Sequence, residues 1–439
     1  MEGHTCSSFF NLVLTYKLTY GIMVFSKKYN KRSVSRMIEL LGRYNTAKVF
    51  TNEVEETAVG QVIELLSQEF IKGERVRFMP DIHAGKGCVV GTTMTYTNKV
   101  VPNLIGVDIG CGIRVTELDL EVNNTTLEKL DSVIKEFVPS GNSVRGVALN
   151  QEKVSKSLKN LTIYGNLKEE VKNRIALSEG TLGGGNHYIE LGAYDGRIFL
   201  MTHTGSRNLG VQVAKTHQEL AVKYCSNTEK PQELIRALKE QGREKDIQEE
   251  LLRLKLSTAP FNKDLAYLDG KLVEDYLNDM AIAQKFAEDN RKAIHKVIMS
   301  KMGWENLVVS EFDSIHNYID IPNKVIRKGA TDASKGKQLV IPLNMRDGSI
   351  IATGKGNEDW NNSAPHGAGR VLSRSKAKET LEMEDFKNTM KDVWSSSVLE
   401  STLDEAPFAY KKKESIIENI TDTVDIDFIV KPIYNFKAH

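Results

Sequence analysis

At 439 residues with 40% apolar content, the chain is long enough to bury a large core, and its length alone allows two or three domains. Lysine and arginine number 59 against 58 acidic residues. A net charge of +1 means that any nucleic acid must be held by a local basic patch, not by the field of the whole molecule. The four cysteines, Cys6, Cys88, Cys111 and Cys225, are scattered without paired spacing, which argues against a disulfide framework or a zinc ribbon and points to the cytoplasm.

The apolar stretch 9–25 is interrupted by Lys17 and is too short to cross a membrane. It runs into the basic stretch Ser26-Lys27-Lys28-Tyr29-Asn30-Lys31-Arg32, where a signal peptide would carry its cleavage site. Residues 1–36 therefore read as an appendage expected to be disordered, with Met23 or Met37 nearer the functional start. Residues 54–70 place Val59, Val62, Ile63, Leu66 and Phe70 at helical spacing. From Val76 to Val115, short β-type runs alternate with glycine-rich loops, and loops on a rigid frame are where chemistry collects. Between Lys230 and Met302 the composition turns to Lys, Glu and Leu, with a start at Pro231, a break at Gly242 and a second start near Pro260. This reads as a helical arm over about 212–302 with solvated charged faces.

Four loops carry the candidate chemistry. Asp108-Ile109-Gly110-Cys111-Gly112 sets a carboxylate and a thiol three residues apart between glycines, a spacing that lets backbone approach an ion closely. Gly183-Gly184-Gly185-Asn186-His187-Tyr188-Ile189-Glu190 reads as a turn feeding a strand, with His187 and Ile189 on one face and Asn186 and Glu190 on the other. The buried strand around Ile198–Met201 delivers His203 and then Arg207, beside a helix start suited to an anion. His316 follows the apolar pair Val308-Val309. Taken singly, Cys111 reads equally as a small buried apolar residue and His187 as a strand histidine satisfied by a backbone carbonyl. Taken together, Asp108, Cys111, His187, His203 and His316 are five potential ligands, enough for two ions sharing Cys111. These groups meet only if one body spans the chain, so a single large mixed α/β catalytic domain over 37–439 is expected. His366, set among small residues in Pro365-His366-Gly367-Ala368-Gly369-Arg370, suits a nucleophilic or acid–base role, and Asp81 is the kind of carboxylate that holds such a ring.

These motifs resemble the RtcB RNA ligases. The likeness runs from about Tyr44 to the C-terminus and rests on Pro80-Asp81-Ile82-His83, the 108–112 loop, Gly184-Gly185-Asn186-His187 and His203-Thr204-Gly205-Ser206-Arg207. It also rests on His316-Asn317, Arg327-Lys328-Gly329-Ala330 and His366-Gly367-Ala368-Gly369-Arg370. The resemblance implies that Asp108, Cys111, His187, His203 and His316 bind two manganese ions, with Cys111 bridging. His366 would take GMP from GTP while Asp81 orients its ring. Asn186, Glu190, Ser349, Gly367, Ala368, Gly369 and Lys437 would lie against the nucleotide, and Arg207 would meet an RNA phosphate. The implied reaction joins RNA 3′-phosphate or 2′,3′-cyclic phosphate ends to 5′-hydroxyl ends.

The chain departs from the family pattern in three places. Asn344, in Pro342-Leu343-Asn344-Met345, stands where a nucleotide-contacting serine is expected; Thr204 replaces a frequent serine; and Lys437 is followed by two residues rather than one. Two other readings compete with a ligase. A dinuclear metal phosphoesterase would use His366 only to protonate a leaving group, and an RNA-binding module would use neither His366 nor Cys111.

Overall fold

A computed structural model of the chain describes residues 37–226, 234–251 and 261–438, and the backbone of Asn11–Leu18, Gly21–Asn30, Ser33–Val34 and 230–233. Those three early strands form an antiparallel sheet of their own. The rest of the expected appendage, and Pro260, lie outside the described residues.

The mixed α/β architecture expected from the sequence is the one observed. A seven-stranded sheet runs in the order Val308–Ile315, Gly112–Leu118, Arg197–Thr204, Tyr188–Tyr194, Val424–Lys437, Gly348–Gly354, Gln338–Asn344, with every neighbouring pair antiparallel. Its side chains alternate between faces with a period of two. Ile189, Leu191, Ile198 and Leu200 point outward onto the helices Asn124–Phe137 and Lys271–Met302. Tyr188, Phe199, Met201, Ile113 and Val115 point inward to meet Val340, Ile351 and Val430. Each such buried aliphatic side chain contributes about 1.5–3 kcal/mol. The Val340 N–H donates to Ser314 Oγ at 3.3 Å, so the two edges of the sheet approach each other.

A six-stranded sheet, ordered Asn317–Asp320, Val325–Lys328, Val90–Thr95, Val76–His83, Thr46–Val49, Ile38–Leu41, packs under the helix Glu56–Leu66. A short ladder, Ala330–Asp332 with Ser363–Pro365, leads straight into His366.

The solvated-arm reading gives way over 271–302. Lysines and glutamates mark one face of the helix Lys271–Met302, but Val273, Tyr276, Met280, Ala283, Ala287, Ile294 and Ile298 form a buried stripe at three- and four-residue spacing. The same stripe carries polar clamps. Arg291 is fully buried and donates to Asp313 at 2.7 Å, to the Gly110 carbonyl at 2.8 Å and to the Thr204 carbonyl at 3.0 Å. Asn290 accepts from the Gly180 and Thr181 N–H groups and donates to the Gly205 carbonyl. This helix thus pins the loops on which the candidate ligands sit.

Candidate active site

Antiparallel register brings the candidate ligands together. His203 pairs with Ile113 on one side and Tyr188 on the other, and Ile315 pairs with Gly112. Cys111, His187, His203 and His316 therefore all lie at the same end of four adjacent strands. The His316 N–H donates to the Cys111 carbonyl at 2.9 Å, locking two of them in place. Asp108 completes the group from the preceding loop; a Cβ at Gly205 would stand 2.1 Å from its carboxylate oxygen, so only glycine admits it there.

Cys111 Sγ lies 3.2 Å from His203 Nε2 and 3.6 Å from His187 Nε2. His203 Nε2 is 3.2 Å from His316 Nε2, and His187 Nε2 is 2.9 Å from Asp108 Oδ2. Two triads result, Cys111/His203/His316 and Asp108/Cys111/His187, each with ligand atoms within 4.8 Å of one another and with the sulfur common to both. Nδ1 of His187 faces the Leu182 carbonyl at 2.9 Å and Nδ1 of His203 the Asn186 carbonyl at 3.3 Å. As donors to carbonyls, these nitrogens leave each Nε2 lone pair turned inward. The backbone-carbonyl reading of His187 thus holds for Nδ1, while Nε2 is turned toward Asp108 and Cys111. Burial pushes His203 and His316 well below the ordinary imidazole value, so their rings are neutral. Burial, reinforced by Asp108, pushes the Cys111 thiol well up. Neutral imidazoles, a thiol and a carboxylate aimed at shared points lack a positive charge, and a metal cation fits that donor set.

Beside this cluster, Nδ1 of His366 donates to Asp81 Oδ2 at 2.7 Å, and the His366 N–H donates to the same oxygen at 3.2 Å. Asp81 is fully buried. Gly369, at φ +74, brings the backbone after His366 close over Asp81; a Cβ there would lie 2.6 Å from the Asp81 carbonyl. With Nδ1 carrying the proton, the Nε2 lone pair is free. The His366 and His316 ring centroids are 4.9 Å apart, so this imidazole adjoins the metal-type cluster.

A cavity opens from His366 and His203. Asn186, Glu190, Asn344, Ser349, Gly367, Ala368, Gly369 and Lys437 all line it. As the alternation required, Asn186 and Glu190 share its wall with Tyr188 while His187 turns to the other side. Burial pushes Glu190 up to about 8; Asn435 Nδ2, which donates to its Oε2 at 2.8 Å, and nearby Lys437 only partly offset this. Glu190 Oε1 and Asn435 Oδ1 are buried and have no hydrogen-bond partner among the described residues. Asn344 accepts from the Arg346 and Asp347 N–H groups and donates to Asp347 at 2.8 Å. It is committed to its own turn, which distinguishes it from a serine free to meet a ligand.

Arg207, at φ +54, opens the helix Arg207–Cys225 and donates to the Thr181 hydroxyl and the Gly141 carbonyl, both at 3.3 Å. Arg327 and Lys328, part of a recognised motif, turn away from the cavity. Arg327 ties Ser363, Tyr318 and Asp320 together, and Lys328 Nζ donates to the carbonyls of Lys86, Cys88 and Asn103. Sequence reasoning missed Glu405, Tyr410, Arg374 and Asn435, all of which line the cavity. Glu405 is buried, accepts from the Tyr410 hydroxyl at 2.7 Å and pairs with Lys437 and Arg374. Burial pushes its carboxyl up, but Lys437 and Arg374 outweigh this and hold it at about 2.

A buried thiol–imidazole–carboxylate cluster that could hold metal, next to an imidazole lining a cavity, has the character of an enzyme active site. The family model described as tRNA-splicing ligase RtcB matches residues 61–438. The chain is 30% identical over 418 residues to the RNA-splicing ligase RtcB of Escherichia coli (strain K12), covering 88% of this chain and 95% of that protein. It is 27% identical over 431 residues to the tRNA-splicing ligase RtcB of Aeropyrum pernix, covering 77% and 82%. The chain belongs to the RtcB family of RNA ligases. Among the described residues, no helix is long and apolar enough to cross a membrane.

Proposed function

We propose that the protein joins an RNA 3′-phosphate, or a 2′,3′-cyclic phosphate opened to one, to a 5′-hydroxyl end, with GTP as co-substrate and His366 as the covalent relay. The carrying observation is the position of His366, held through Nδ1 by Asp81 at 2.7 Å with its ring 4.9 Å from that of His316. In this reading Asp108, Cys111, His187, His203 and His316 hold two manganese ions, whose chemistry is to neutralise phosphate charge and polarise a phosphoryl group. Asp81 keeps the proton on Nδ1, so Nε2 attacks the α-phosphorus of GTP; the bond to the β-phosphate oxygen breaks and pyrophosphate leaves. The guanylate then passes from Nε2 to an oxygen of the RNA 3′-phosphate. A 5′-hydroxyl attacks that phosphorus, GMP departs and the phosphodiester forms. Glu190, Asn186, Ser349 and Lys437 receive the guanylate in the cavity, with the backbone of Gly367, Ala368 and Gly369 beside it, and Arg207 meets an RNA phosphate.

The test is incubation with 3′-phosphate and 5′-hydroxyl RNA, GTP and Mn²⁺. Ligated product and an acid-labile guanylate on the protein are expected, and both should vanish in His366→Ala. Ligation by that variant, or release of phosphate without ligation by the unaltered protein, would overturn the proposal.

A further inference from the structure

One buried carboxylate, Glu405, gathers cavity groups that arrive from three separate segments. It accepts from the Tyr410 hydroxyl at 2.7 Å, pairs with Lys437 Nζ at the end of the last strand and with Arg374 at the start of a helix, and has Arg370 Nη1 at 3.6 Å. It is 2% exposed and Lys437 is 5% exposed, so neither charge is answered by water. The Lys437 backbone is held independently, by pairing with Tyr188 and by Ser397, whose hydroxyl both accepts from its N–H and donates to its carbonyl at 3.0 Å. The main chain thus fixes where the lysine starts, and Glu405 bears on where its ammonium ends.

A second carboxyl competes for that ammonium. Glu190 lies in the same cavity, is 2% exposed, accepts from Asn435 and, among the described residues, has no hydrogen-bond partner for its Oε1. Ammonium on Glu405 leaves Glu190 open toward the cavity. Ammonium on Glu190 would instead satisfy that oxygen internally and close off two groups at once.

We propose that Glu405 is a positioning residue for base selection: by holding Lys437 and Arg374 on its own side, it keeps Lys437 as a donor and Glu190 as a separate open group, the pair a guanine base would need. This rests on the nucleotide reading of the cavity. Guanine places a carbonyl acceptor beside N–H donors, whereas adenine places an amino donor where that carbonyl would be and a bare ring nitrogen where the N–H would be, so an ammonium and a carboxyl held apart in the guanine order meet like groups in adenine.

In Glu405→Gln the side-chain shape remains and the charge goes, which frees Lys437 to move onto Glu190. Binding of GMP and AMP is measured by calorimetry on the full chain, with melting temperature and Co²⁺ uptake at Cys111 followed in parallel. The expected result is at least a tenfold loss of GMP affinity, with AMP changed less than about threefold and Co²⁺ uptake unaltered. An unchanged GMP-to-AMP preference overturns the inference, even if both affinities fall with the melting temperature, because that is the behaviour of a purely structural clamp. If the glutamine variant does not fold, Glu405→Asp keeps the charge one methylene short and is expected to cut the preference severalfold; full preference there also overturns it. No preference for GMP in the unaltered protein would bring down the nucleotide reading itself, and this inference with it.

Discussion

Removing Asp81 probes whether His366 is held as a nucleophile. One oxygen of Asp81 accepts two hydrogen bonds from His366, at 2.7 and 3.2 Å, while its other oxygen has no hydrogen-bond partner among the described residues. In Asp81→Asn the amide oxygen can take the first position and the amide nitrogen the second. The ring would then keep its tautomer and lose only the charge-assisted share of the bond, about 1–1.5 kcal/mol. That corresponds to about a tenfold slower guanylate transfer to the protein. Asp81→Ala removes both bonds and lets Nδ1 and Nε2 exchange the proton, so about 3–4 kcal/mol, or roughly 10²–10³-fold, is expected. Single-turnover labelling with α-labelled GTP and saturating Mn²⁺, quenched on the millisecond-to-minute scale, reads this step without the RNA steps. The reasoning is refuted if the alanine variant labels within about twofold of the unaltered protein, or if the asparagine variant is the worse of the two.

Other consequences can be measured separately. Because both triads contain Cys111, Cys111→Ser should weaken both metal sites together by more than the roughly 10–100-fold that loss of an outer partner costs; Co²⁺ titration would show a thiolate band in the parent and none in the variant, and one unaffected site would contradict a shared sulfur. Glu190 sits near 8 instead of the ordinary 4.5, so the folded chain holds its proton where the unfolded chain has lost it. This contribution to stability is complete below about 4.5 and fades as pH rises toward 8. A base bound through the ionised carboxyl must release that proton, so guanosine affinity should rise about tenfold per pH unit up to 8 and level off above; Glu190→Gln should flatten the profile, and a flat profile in the parent would contradict the assignment. Arg291→Met takes one ion pair from Asp313, which keeps Arg114, and leaves two buried loop carbonyls without their donor, an expected loss of about 2–4 kcal/mol in denaturant unfolding. A loss under about 1 kcal/mol would show that Arg291 does not clamp the ligand loops.

Much of the candidate site was legible because its residues lie in short loops where small and polar residues alternate or, as for Asp81 and His203, near the ends of the strands that lead into them, a local signal. Asp81, Cys111, His203 and His366 could be singled out in that way, and the faces of Asn186, His187 and Glu190 followed from strand alternation alone. Glu405, Tyr410 and Arg374 could not. They are joined by buried charge pairing across the end of the fold, and no spacing in sequence encodes a contact between Glu405 and Lys437. The helix Lys271–Met302 was misread because its charged face dominates composition, although its buried stripe was present at helical spacing. Nor could periodicity show that the last strand, Val424–Lys437, inserts between Tyr188–Tyr194 and Gly348–Gly354 to bring Asn435 and Lys437 into the cavity.

Crystals grown with Mn²⁺ and measured across the manganese absorption edge test the central claim most directly. Two anomalous peaks per chain are expected, one among Cys111, His203 and His316 and one among Asp108, Cys111 and His187, both within bonding distance of the same sulfur. A single peak, or two with the sulfur bound to only one, would contradict the account.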